Sequence, residues 1–145
     1  MPHTASNGIT DVGLNSTIRF LLLPSAPPQS QSPTVKELIL SNNEISLEDQ
    51  STTYLLSTAL SHPSSSLVLL SLTNNARIGG KATAMKWLLH HLEPTSLEKL
   101  HLNTCGLQAV DARTITRWLS DPKKGGKLQQ LEVRMPSSTT STAQS

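Results

Sequence analysis

Leu97-Glu98-Lys99-Leu100-His101-Leu102-Asn103-Thr104-Cys105-Gly106-Leu107 places leucines at its first, fourth, sixth and eleventh positions and a cysteine at its ninth. Three other segments repeat its opening: Val35-Lys36-Glu37-Leu38-Ile39-Leu40, Leu67-Val68-Leu69-Leu70-Ser71-Leu72 and Leu128-Gln129-Gln130-Leu131-Glu132-Val133. The four start 32, 30 and 31 residues apart, and those at Val35 and Leu67 run on in register to Asn43 and Asn75 at the ninth place. A period of that length, with L-x-x-L-x-L-x-x-N/C-x-L running through it, marks one supersecondary unit stacked on copies of itself.

The spacing dictates the local structure. Leucines at the fourth and sixth places are two residues apart, so on a short strand they point to one side and face the core. The ninth residue lies where the chain turns off the strand and leaves backbone donors and acceptors unpaired. An amide side chain satisfies both kinds. Stacked turns bring Asn43 beside Asn75 as a ladder, of which Cys105 supplies only a weak version. Beyond the turn, Met85, Leu88, Leu89 and Leu92 recur at helical spacing, as do Ile115, Trp118 and Leu119, which predicts a helix closing each repeat. Pro63, Pro94 and Pro122 follow at similar phase, where proline ends a helix without removing an interior hydrogen bond. The chain is therefore read as a leucine-rich repeat with an α/β solenoid fold. The expected form is a short horseshoe arc with parallel strands on its concave face and helices on its convex face.

The first residues fit once they are aligned from the middle of a repeat. Asn7-Gly8-Ile9 then matches Asn43-Glu44-Ile45, Gly13 falls where a helix begins, and Ile18 and Leu21 take core places. Residues 7–23 read as a half-repeat without its strand, within an array spanning 7–134. A loop at 24–34 rich in Pro, Ser and Gln follows, then repeats starting at 35, 67 and 97 and a closing strand at 128–134. Residues 1–6 and the Ser/Thr-rich tail 135–145 are expected to be disordered. No terminal cap is evident, although the outermost turn of a stack has a dry face that needs one. That points to a piece of a longer array, or to self-association through the open ends.

Composition agrees with a stack of small aliphatic contacts. Among 145 residues, a length typical of one domain, 24 are leucine and only 3% are aromatic. The formal charge of +2 is too small to argue for nucleic acid, and no basic stretch is interleaved with aromatics. Lys123-Lys124-Gly125-Gly126-Lys127 reads as a solvated turn. A single cysteine excludes an internal disulfide. The start has no cationic stretch followed by an apolar run, and Phe20–Leu23 is far too short to span a membrane. The expected location is cytoplasmic, with the nucleus as the second choice, which makes the glycosylation sequon Asn15-Ser16-Thr17 a chance match.

Repeats near 30 residues, with N-x-I/L leading into a helix and Asn alternating with Cys at the ninth place, resemble the ribonuclease-inhibitor type of leucine-rich repeat. The likeness covers about residues 7–134 and is clearest from Leu97 to Val133. Two departures stand out: Ala76-Arg77 puts one extra residue between Asn75 and Ile78, and Ser46 to Gln50 lacks the usual glycine. The resemblance implies that a protein partner binds the concave strand face through the side chains between the leucines. Here these form the column Glu37, Leu69, Lys99, Gln130 and the column Ile39, Ser71, His101, Glu132, a mixture suited to a moderately polar patch. Proteins of the same repeat class include activators of the Ran GTPase as well as larger receptors and adaptors. For an activator, Arg77 in the irregular loop is the candidate arginine.

Other combinations lack essential parts. His90 and His91 point about 100° apart on a helix, and no second cysteine or spaced carboxylate joins them with Cys105 into a metal site. His101 and Glu132 form a pair across neighbouring strands but have no nucleophile beside them. Gly79-Gly80-Lys81 lacks both the earlier glycine and the following Ser or Thr of a phosphate loop, so it reads as the approach to a helix. The sequence thus predicts a binding module without catalytic residues, cofactor or metal.

Overall fold

The computed structural model describes residues 8–22, 35–63, 65–80, 83–90 and 92–134. The expectations for residues 1–6, for the loop 24–34 and for the tail 135–145 lie outside the described residues, as do Asn7, Lys81, His91 and the side chain of Leu21. A single sheet holds β1 (Glu37–Ile39), β2 (Leu69–Ser71), β3 (Lys99–Asn103) and β4 (Gln130–Arg134) in sequence order, every neighbour parallel. Parallel neighbours need a crossover, and each crossover here contains a helix. These are α2 (Gln50–Ser61), α3 (Thr83–His90) and α4 (Ala109–Leu119), preceded by α1 (Asp11–Thr17), which continues as a π-helical turn over Ile18–Leu22. Adjacent helices pack on one another as adjacent strands do. None of them is long and apolar enough to cross a membrane.

The repeat leucines build the core. Leu38, Leu70, Leu100 and Leu131 align across the sheet, and all four are at most 2% exposed. Leu40, Leu72 and Leu102, at the sixth place, are fully buried, each stabilising the fold by about 1.5–3 kcal/mol. From the helices come Ile18, Met85, Leu88, Leu89, Ile115 and Trp118, while Leu119 is only partly covered. Leu92 is buried just beyond the end of α3, and the Trp118 indole N–H donates to its carbonyl at 2.9 Å, tying α4 to the third turn.

The expected asparagine ladder is present and asymmetric. Asn43 accepts the Ile9 N–H through Oδ1 and donates to the carbonyl of Leu40. Fully buried Asn75 does the same one repeat later: its Oδ1 accepts from Ile45 N at 3.0 Å, and its Nδ2 donates to Leu72 O and Leu40 O. Cys105 keeps only the donor half, its thiol lying 3.0 Å from Leu72 O.

The residue preceding each ladder residue turns left-handed, with φ of 61° at Asn42, 64° at Asn74 and 56° at Thr104. Asparagine tolerates that region and β-branched threonine does not. The exposed Asn42 and Asn74 also bond to each other at 2.7 Å, forming an outer ladder beside the inner one.

Both departures from the repeat pattern have local solutions. The bulge at Ala76-Arg77 is accommodated by close backbone approach: a Cβ at Gly79 or Gly106 would lie 2.3–2.4 Å from the neighbouring carbonyl oxygen. In place of the glycine absent from 46–50, buried Leu47 adopts φ 57°. Its N–H is held by Asp11, whose carboxylate accepts from Ser46 N, Leu47 N, Asp49 N and the Ser46 hydroxyl at 2.8–3.2 Å. This clamp also explains why α1 starts at Asp11, two residues ahead of Gly13. An aspartate in the first turn faces the positive end of its own helix and the amides of the next repeat together.

Candidate functional site

Alternate strand residues leave the leucine core and line the opposite, concave side of the sheet. The pairing register joins Glu37 to Leu69, Leu69 to Lys99 and Lys99 to Gln130, and likewise links Ile39, Ser71, His101 and Glu132. The two columns anticipated from the repeat phase are therefore contiguous rows. Glu37 and Lys99 are exposed, while Ile39, Leu69, His101, Gln130 and Glu132 are partly exposed. Ser71 is 5% exposed and bonds the Ser41 hydroxyl at 3.0 Å, so it forms the floor of the face more than its surface.

Polarity is not spread evenly. At the β1–β2 end the partly exposed Ile39 and Leu69 stand beside exposed Glu37. At the β3–β4 end Glu132 gathers three neighbours: Asn103 Nδ2 donates to Oε1 at 3.0 Å, Gln130 Nε2 donates to Oε2 at 2.9 Å, and His101 Nε2 lies 3.1 Å from Oε2. A carboxylate accepts several such bonds, and the cross-strand arrangement fixes its direction. His101 and Glu132, paired in the sequence reading, lie side by side without hydrogen-bond geometry, and the sequence did not identify Glu132 as the centre of a cluster. Its partner Gln130 stands in the first column and Asn103 one row beyond the second, opposite Arg134, so part of the signal was present in the columns.

Cys105 belongs to the framework. It is fully buried, and burial pushes its thiol up to about 11, so it stays protonated at neutral pH. Arg77 is exposed in the bulged loop, and His90 is exposed at the end of α3.

A family model described as Leucine Rich repeat matches residues 31–49, a stretch that includes β1 and its asparagine turn. No curated protein matches the chain. Together with four parallel strands alternating with helices in one sheet, the match makes the fold an α/β leucine-rich-repeat arc.

Proposed function

We propose that this arc is a non-catalytic interaction module whose concave strand face binds a protein partner. The observation that carries the reading is the pair of in-register columns, graded from apolar Ile39 and Leu69 to the hydrogen-bonded cluster around Glu132. An apolar contact area beside oriented polar groups suits protein recognition, and fixed side chains lose little entropy when they bind. Glu37, Ile39, Leu69, Lys99, His101, Gln130 and Glu132 supply the contacts, with Ser71 supporting them from below. The spacing, the helices that follow each turn and the Asn/Cys alternation favour the ribonuclease-inhibitor type within the repeat class. A cytoplasmic or nuclear partner fits this reading.

Reversing Lys99 and Glu132 together (Lys99→Glu, Glu132→Lys) tests the proposal, since both charges stand on the face and outside the leucine core. Loss of the protein associations made by the wild type supports it; unchanged associations would overturn it. A GTPase-activating role is the second reading, because Arg77 is exposed where the repeat is irregular. Stimulated GTP hydrolysis that disappears in Arg77→Ala would replace the scaffold reading with that one.

A further inference from the structure

The helical side of the arc carries a second surface, with different chemistry. On α3, Lys86, Leu89 and His90 stand at i, i+3 and i+4, and on α4 Thr114, Arg117 and Trp118 repeat that spacing, with Asp121 one turn beyond. Residues so spaced share one helix face. The two faces meet along a groove of about 390 Å³ closed at one end by Lys124. Its floor is apolar, formed by the buried side chains of Leu89 and Trp118. Its rim is cationic: Lys86 and Arg117 are exposed, and among the described residues neither has an ion-pair partner. Lys124 crosses from the loop after α4 to donate to the backbone carbonyl of His90 at 2.9 Å, which holds a third positive charge beside the other two.

The charge balance singles out this place. The whole chain has twelve Lys and Arg against ten Asp and Glu, and three of those cations and one of those anions line the groove. The groove lining thus has a local formal charge of +2, with Asp121 its one acidic residue.

From this complementarity we infer that the α3–α4 groove docks an acidic peptide segment of a partner protein, with an apolar side chain on Leu89 and Trp118 and carboxylates at Lys86 and Arg117. A nucleic-acid backbone fits less well. Asp121 on the rim opposes a continuous run of phosphates, and no exposed Phe, Tyr or Trp lines the groove for a base to stack on. A peptide can place its carboxylates to avoid Asp121. The groove is separate from the concave columns and does not depend on their role.

The test uses the intact protein and a fluorescein-labelled peptide of glutamates around one central leucine, followed by anisotropy at low and at physiological salt. Binding is expected, and Lys86→Glu with Arg117→Glu should weaken it by at least about tenfold, the scale of reversing two rim charges. Lys86→Gln with Arg117→Gln should weaken it less, and the concave pair Lys99→Glu with Glu132→Lys should leave it unchanged. Amide spectra should shift at Lys86, Thr114 and Arg117 and not at Lys99 or Glu132. The inference is overturned if the peptide does not bind, if the groove variants bind it as wild type does, or if a short DNA duplex binds the groove more tightly than the peptide.

Discussion

The first two strands are three residues long and the last two are five, and the turns that leave them are secured by different chemistry. In the β1–β2 half, Asn43 and Asn75 each accept a backbone N–H from the neighbouring turn, Asn75 also donates into it, and Asn42 and Asn74 pair outside them. In the β3–β4 half a thiol and a threonine hold those two places. There Gly79 N donates to Cys105 O at 2.8 Å, with Gly79 and Gly106 permitting the close approach, while Thr104 N to Arg134 O at 3.2 Å only repeats the backbone bonds of Asn42 to Thr73 and Asn74 to Asn103. Side-chain amides tie the short strands together; longer pairing and glycine geometry replace them where the amides are missing. The concave surface changes at the same boundary: both of its partly exposed aliphatic residues, Ile39 and Leu69, lie in the first half, and the cluster around Glu132 lies in the second.

That contrast is broken most readily at Asn75. Alanine there leaves the buried Ile45 N–H without its partner and takes one of two donors from each of the Leu40 and Leu72 carbonyls, a loss of about 2–3 kcal/mol, whereas Cys105→Ala should cost only about 1 kcal/mol. Urea denaturation of both variants checks the ratio, and equal losses would erase the distinction between the halves.

Alkaline pH isolates the cysteine turn. A thiol near 9.0 in the unfolded chain and near 11 in the folded one remains protonated only when folded between those values. The associated stability is fully present below pH 9 and falls by about 1.4 kcal/mol per pH unit until the folded thiol ionises. Stability measured from pH 8 to 11 should show that additional slope in the wild type and not in Cys105→Ala.

The smallest effect is a gain. Thr104→Asn relieves a β-branched residue at φ 56° and places an amide in line with Asn74, so it should raise stability by about 1 kcal/mol, read as an upward shift in the thermal midpoint. A loss would mean that the left-handed turn at Thr104 is not strained.

The parts of this molecule that repeat could be read from its sequence. The spacing of Leu38, Leu70, Leu100 and Leu131 determines which residues pair across the sheet, so both concave columns follow from it, and the ninth position supplies Asn43 and Asn75. The Asn-Asn doublets at 42–43 and 74–75 carried a second signal, the outer pair, which becomes visible only when each residue of the doublet is given its own place in the turn. Asp11 had no such signal. Its carboxylate reaches residues 35 to 38 positions away, and the other helix-start aspartate that binds an adjacent repeat, Asp111 to Gly80 N, stands at a different phase, so periodicity does not reveal it. The α3–α4 groove was hidden for another reason: helical spacing was followed for apolar residues, while Lys86, Thr114 and Arg117 repeat the same spacing on the solvent side.

The account rests most heavily on the concave face. Its most direct test is quantitative capture of associated proteins by the wild type, by Lys99→Glu with Glu132→Lys, and by Arg113→Glu as a control on the exposed side of α4, each first shown to melt as a folded protein. Partners held by the wild type should be lost from the double variant and kept by Arg113→Glu. Identical capture by all three proteins would contradict the account.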